Sequence, residues 1–299
     1  MRLTGLGEFG LIERIRRSVK NSARTVIGIG DDAAVVSLVA GQQLLLTTDM
    51  LVEGVHFTKD MTARLIGRKA MNCSVSDIAA MGGIPRFALI SLAVPGNLET
   101  VFVDDLFRGL REAAAAFALD IVGGDTVRND KIVINVALTG EGKAGQVVSR
   151  GGAKPGDQIL VTGPLGGSLT SGGHLKFLPR VKEARYLVEH FLPTAMIDVS
   201  DGLASDLGHI LAQSKVGAVI EESAIPLRKG AIIDNALYDG EDFELIFTLA
   251  QKPAAQLLKT KTLYHFYRIG EIQEAAKGYL IKKRYGRCLP VENKSYKHF

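Results

Sequence analysis

Residues 63–94 read ARLIGRKAMNCSVSDIAAMGGIPRFALISLAV. Residues 63–81 predict a helix that stops at Gly82-Gly83 and Pro85, two strong helix terminators. An apolar strand follows at 87–94. Inside the helix, Asp77 sits among Val75, Ile78, Ala79, Ala80 and Met81. A carboxylate with such neighbours is costly unless it is paired or metal-bound. It also lies near the helix C-terminus, where the dipole disfavours negative charge. One stretch therefore predicts both a mixed α/β fold and a buried acidic site.

Outward from it the same alternation continues. The first half predicts a helix at 6–20, strands at 43–48 and 132–138, and an alanine-rich helix at 103–118, with Asp104 and Asp105 suited to its first turn. Gly151-Gly152 and Lys154-Pro155-Gly156-Asp157 are turn chemistry and predict the boundary between two domains, 1–148 and 149–299. The second half predicts strands at 158–162, 196–198, 218–221 and 243–249 and a helix at 203–213. Hydrophobic residues make up 46% of the 299 and charged residues 23%, which suits two domains with full cores.

Composition excludes several classes. The net charge of +4 is mild, and the basic cluster Lys282, Lys283, Arg284 and Arg287 is too short for a nucleic-acid footprint. Cys73 and Cys288 form neither a metal-type spacing nor a disulfide framework. MRLTGLGEFG has no apolar core of a signal peptide, and no apolar run is long enough to span a membrane. The expectation is a cytoplasmic protein with no membrane and no nucleic-acid partner.

Four further segments place aspartate among small or apolar residues: Gly28-Ile29-Gly30-Asp31-Asp32, Thr47-Thr48-Asp49, Gly123-Gly124-Asp125-Thr126 and Asp198-Val199-Ser200-Asp201-Gly202. Taken singly, each is also compatible with a tight turn, a polar strand end or a helix N-cap. Taken together with Asp77 they supply more carboxylates than could sit side by side without cations, on what read as loops at strand ends. They contain no histidine or cysteine, and all-oxygen ligation points to Mg²⁺, which is most often a partner of phosphates. The glycine-rich loop Gly163-Pro164-Leu165-Gly166-Gly167-Ser168 lacks the Gly-Lys pair of a Walker A sequence.

In order, GIGDDAAV, TTDMLVEGVHF, SDIAAMGG, GGDT, SRGGAKPGD, IDVSDGLASDLGHI and GEDFEL resemble the thiamine-monophosphate kinases over nearly the whole chain. These belong to a wider superfamily with aminoimidazole ribonucleotide synthetase. The resemblance implies a two-domain synthetase-like fold and a homodimer whose N-terminal domains pair into a β-barrel, with ATP bound across that region. It implies ATP-dependent phosphorylation of thiamine monophosphate to thiamine diphosphate. It assigns Asp32, Thr47, Thr48, Asp49, Asp77, Asp125, Asp198 and Asp201 to several Mg²⁺ ions. It assigns Gly124, Asp125, Arg150 and Ser200 to ATP, and His56, Glu241 and Tyr296 to the substrate; with no tryptophan in the chain, any aromatic clamp is Tyr or Phe. His174, His190, His209, His265 and His298 read as structural or exposed. No general base is expected, because the nucleophile is a phosphate oxygen. The competing expectations are another ATP-dependent member of the superfamily, aminoimidazole ribonucleotide synthetase-like or hydrogenase-maturation-like, and a non-catalytic relative that binds ATP·Mg.

Overall fold

The computed structural model describes residue 13 and residues 25–27, 30–39, 41–292 and 294. The helix expected at 6–20, apart from residue 13, lies outside the described residues, as do Gly28-Ile29 and Tyr296.

The first half builds one sheet and two helices: β1 (Thr25–Ile27), β2 (Ala34–Val39), β3 (Gln42–Val52), α1 (Ala63–Ala80), β4 (Ile84–Val94), α2 (Thr100–Ala116), β5 (Asp120–Arg128) and β6 (Val133–Lys143). The strand order is β1-β2-β3-β6-β4-β5. All neighbours are antiparallel except β4 and β5, whose parallel pairing requires the crossover that α2 supplies. Side chains alternate across β3: Leu45 and Leu51 are buried under the helices, while Leu46 and Met50 face outward. Thr47 and Asp49 share the inward parity of Leu45 and Leu51, and this places them on the helix side. The two helix backbones touch. A Cβ on Gly67 of α1 would lie 2.0 Å from the Leu106 carbonyl oxygen, and one on Gly109 of α2 would lie 1.8 Å from that of Arg64.

The second half runs β7 (Gln158–Val161), α3 (Ser168–Ser171), α4 (Val181–His190), β8 (Ala195–Asp198), α5 (Leu203–Ser214), β9 (Gly217–Glu221), α6 (Ile233–Tyr238), β10 (Leu245–Leu249), α7 (Gln251–Lys259), β11 (Tyr267–Gln273), β12 (Tyr279–Lys282) and β13 (Cys288–Pro290). These strands form a second sheet, ordered β13-β12-β9-β11-β7-β10-β8. Its faces pack differently. Leu160, Met196, Leu245 and Phe247 join the core that contains α1 and the first sheet. Ile159, Val161, Ile197 and Ile246 pack with Leu203, Leu207 and Ile210 of α5. Helix α1 therefore lies between the two sheets, which explains why most of its circumference is buried. Polar clamps fasten it there: Asn72 donates to the Phe177 carbonyl (2.9 Å), and Arg185 donates to the Gly82 carbonyl (2.8 Å).

Within the described residues the other expected elements are present, with shifted ends. Helix α2 starts at Thr100, so Asp104 and Asp105 fall in its second turn. Two expectations need correction. The aspartate motifs are not all on loops: Thr47–Asp49 lies in mid-strand, and Asp77 lies inside α1. Gly123-Gly124 is no turn; it belongs to the edge strand β5, paired to β4 along its length. Among the described residues no helix is long and apolar enough to cross a membrane.

Candidate active site

Four aspartates converge where α1 meets the second sheet. Asp77 points from α1, Asp49 from the inward face of β3, Asp198 from the end of β8 and Asp32 from the turn before β2. Carboxylate oxygens of Asp32, Asp77 and Asp198 lie within 4.8 Å of one another. Hydroxyls hold three of the four. Thr47 donates to Asp77 Oδ2 (2.5 Å), Ser74 to Asp49 Oδ2 (2.8 Å) and Ser76 to Asp198 Oδ2 (2.6 Å). Among the described residues, the one cation that the contacts bring into this group is Arg150. Its guanidinium binds both oxygens of Asp32, at 3.0 and 2.6 Å, and its backbone N–H donates to Asp31.

One guanidinium does not balance this many carboxylates. Burial, followed by the charges of Asp49 and Asp198, pushes the Asp77 carboxyl well above the usual range. Burial and Asp32 do the same to Asp198, and burial raises Asp49. Asp31 is pushed up to about 6 by burial and by Asp32. A close-packed, all-oxygen, under-compensated donor set is what a hard divalent cation such as Mg²⁺ would fit.

Two cavities open from this cluster and share Asp49, Ser200 and Asp201 in their walls. The larger, about 810 Å³, is acidic and includes Asp32, Thr47, Asp77 and Arg150. The smaller, about 320 Å³, includes His56, Lys69, Cys73, Glu241 and Phe243. In it the Val52 N–H donates to His56 Nδ1 (3.0 Å). Nδ1 is thus the acceptor, and the neutral ring carries its proton on Nε2.

The structure does not gather every expected residue. Thr48 lines the larger cavity but has the opposite parity to Thr47, and its hydroxyl donates to Asn135 Oδ1 (3.0 Å) on the outward face. Gly124 and Asp125 are exposed on β5, three strand positions from β3, and Asp125 accepts from the N–H of Thr126. Asp201 groups with Asp206 and His209 of α5, beside the main cluster. His209 therefore faces the cleft, whereas in the sequence it reads as structural or exposed. Its three-residue spacing from Asp206, just after the Asp201 motif, was the available signal. Ser74, Ser76 and Lys69 were also missed. A serine or lysine inside a helix carries no local mark of the distant segment it touches.

Fold and site together define a two-domain α/β protein with an oxygen-donor cluster at the domain junction. The profile of the AIR synthase related protein N-terminal domain matches residues 30–142, and that of the C-terminal domain matches residues 154–283. The thiamine-monophosphate kinase of Bacillus subtilis is 35% identical, over 98% of this chain and 100% of its own length. That of Aquifex aeolicus is 34% identical over 100% of both chains. The solved structure of AaThiL complexed with AMPPCP and TMP superposes with a TM-score of 0.87 at 33% identity, covering 100% of this chain and 99% of that one. The chain belongs to the thiamine-monophosphate kinases, within the AIR synthase related family.

Proposed function

We infer that the protein transfers the γ-phosphoryl group of ATP to thiamine monophosphate, forming thiamine diphosphate and ADP. The observation that carries this is the junction of the two cavities: the carboxylate cluster opens on one side to the space beside Arg150 and on the other to the pocket of His56 and Glu241. A phosphate donor and a phosphate acceptor held in those spaces meet at Asp49, Ser200 and Asp201. The attacking atom is an oxygen of a phosphate monoester, largely ionised at neutral pH with a second pKa of ~6. No residue is therefore needed to remove a proton, and the site's work is positioning and charge compensation.

The chain's own residues divide that work. Asp32, Asp49, Asp77 and Asp198, with Thr47 beside them, would hold Mg²⁺. Bound there, Mg²⁺ supplies charge that offsets repulsion between the two phosphate groups. Ser74 and Ser76 hold two of the carboxylates in place before any ligand arrives. Arg150, poised on Asp32, can turn its fork to a phosphate oxygen. His56 presents Nε2–H as a donor at the far end of the acceptor pocket, and Glu241 presents a carboxylate. Asp201 stands at the rim of both cavities, ready to hold a further ion.

Gly124, Asp125 and Thr48 gain a role if two chains pair through the outer face of the first sheet. That face carries exposed Leu46, Met50, Phe87 and Leu89, and the adjoining edge strand carries Val122 and Val127. A single chain leaves this apolar surface in water, and pairing with a second copy covers it. Pairing there would bring the Gly124-Asp125 edge of one chain toward the nucleotide side of the other. A cytoplasmic site of action suits the use of ATP.

The decisive experiment supplies purified protein with ATP, Mg²⁺ and thiamine monophosphate and follows ADP and thiamine diphosphate by chromatography. Equal amounts of the two products are expected. ADP without thiamine diphosphate would reject the reading.

A further inference from the structure

Lys69 has no part in the reading above, yet it is among the most buried side chains of the molecule. It is 1% exposed, lies on α1 and lines the smaller cavity. A lysine almost never becomes fully buried without a partner. Here the ammonium meets Glu241 Oε2 at 2.5 Å and donates to the His56 carbonyl at 2.9 Å. The Glu241 contact is an ion pair set off the axis of an aligned hydrogen bond. Lys69 thus touches two of the three residues assigned to the substrate, His56 and Glu241.

Helix geometry places it along the cavity. Lys69, Cys73 and Asp77 are spaced i, i+4, i+8 and share one face of α1, with Lys69 about 12 Å from Asp77 along the axis at ~1.5 Å per residue. Asp77 marks the phosphate end, and Lys69 marks the opposite end of the pocket.

The loop that carries Glu241 is shaped for this contact. Glu241 and Phe243 both adopt left-handed backbone, with φ of 57° and 51°, which non-glycine residues rarely do. Backbone bonds from Glu241, Asp242 and Phe243 to the carbonyls of Ser200 and Val199 hold that shape. Asp242 and Glu244 face away, toward Arg228 and Arg180. Of these three acids it is Glu241 that turns to the cleft, where its side chain keeps 21% exposure against 1% for Lys69.

We propose that Lys69 is a positioning residue that holds the Glu241 carboxylate, through their ion pair, as the acceptor for the end of the substrate remote from the phosphate. The thiazolium and aminopyrimidine rings of thiamine monophosphate offer positive charge and N–H donors that such a carboxylate suits. This rests on the kinase reading for the identity of the ligand.

The test compares the full chain with K69M, E241Q and K69M/E241Q. It measures KM for each substrate, kcat, and the dissociation constant of thiamine monophosphate by calorimetry with Mg²⁺ and a non-hydrolysable ATP analogue. K69M should raise both the KM and the dissociation constant for thiamine monophosphate about tenfold or more, with kcat and the KM for ATP little changed. K69M/E241Q should be no worse than E241Q, because a residue acting through Glu241 has nothing left to position. The charge-balanced double variant carries the test if K69M fails to fold. Thiamine monophosphate affinity unchanged in K69M, a parallel rise in the KM for ATP, or a K69M defect that multiplies the E241Q defect would each overturn the proposal. Wild-type binding without turnover, weakened in K69M, would reject the kinase reading and leave Lys69 in this role. Neither binding nor turnover would overturn both.

Discussion

Ser76 Oγ of helix α1 donates a 2.6 Å hydrogen bond to Asp198 Oδ2 at the end of β8, and both residues are buried. The bond joins the two halves of the chain at a carboxylate of the candidate metal cluster. S76A removes a hydrogen bond to a buried acid, worth about 1.5–3 kcal/mol when the partner is charged. The Mg²⁺ concentration for half-maximal rate should rise on the order of 10–100-fold, as for other supports of metal ligands. A Mg²⁺ titration of the rate checks this, and an unchanged midpoint would remove Ser76 from the site.

D77N keeps the shape of a side chain that three other carboxylates surround. Turnover should fall by about 10³-fold or more through loss of a ligand that helps compensate charge in phosphoryl transfer. The fold should survive, because the change also removes a buried charge crowded by Asp49 and Asp198. Circular dichroism with a rate assay separates the two effects; a near-wild-type rate would sink the cluster as the catalytic centre.

The raised carboxyls predict a pH dependence whose sign can be worked out. Asp77 and Asp198 hold protons in the folded state to higher pH than in the unfolded chain, where carboxyls titrate near ~4. Between those two values the folded state binds more protons, so their contribution to stability falls as pH rises. In chelator, wild type should therefore lose more melting temperature between about pH 5 and about pH 8 than D77N does. Mg²⁺ added at the higher pH should raise the wild-type melting temperature and flatten the dependence. Equal slopes in wild type and D77N would contradict the charge crowding.

Arg150 pairs with both oxygens of Asp32 through a planar fork that lysine cannot reproduce. R150K should raise the KM for ATP about tenfold while leaving that for thiamine monophosphate nearly unchanged, since Arg150 lines only the larger cavity of the two. Steady-state kinetics in both substrates decides it, and equal increases would argue that the cavities are not separate subsites.

Phe87 and Leu89 project from the outward face of β4, about half exposed. If that face joins two chains, F87D/L89D should give a folded monomer in sedimentation with little phosphoryl transfer. A wild type that sediments as a monomer would remove the pairing from the account.

Much of this was legible in the residues. The helix at 63–81 and its stop at Gly82-Gly83 were readable because periodicity and terminators are local, as were the strands around it. Asp77 announced itself, because an acid between Val75 and Ile78 in a helix has to be compensated somewhere. The folded chain decided what local pattern cannot carry. Strand parity sends Thr47 and Asp49 to the cluster and Thr48 to the other face of β3, a distinction that depends on which face the helices cover. Strand order puts Asp125 on a remote edge although its motif reads like the others. Ser76 meets Asp198 and Lys69 meets Glu241 across 122 and 172 positions of sequence. Such contacts exist only because α1 is packed between two sheets, and it is burial there that turns ordinary serines and one lysine into parts of a site.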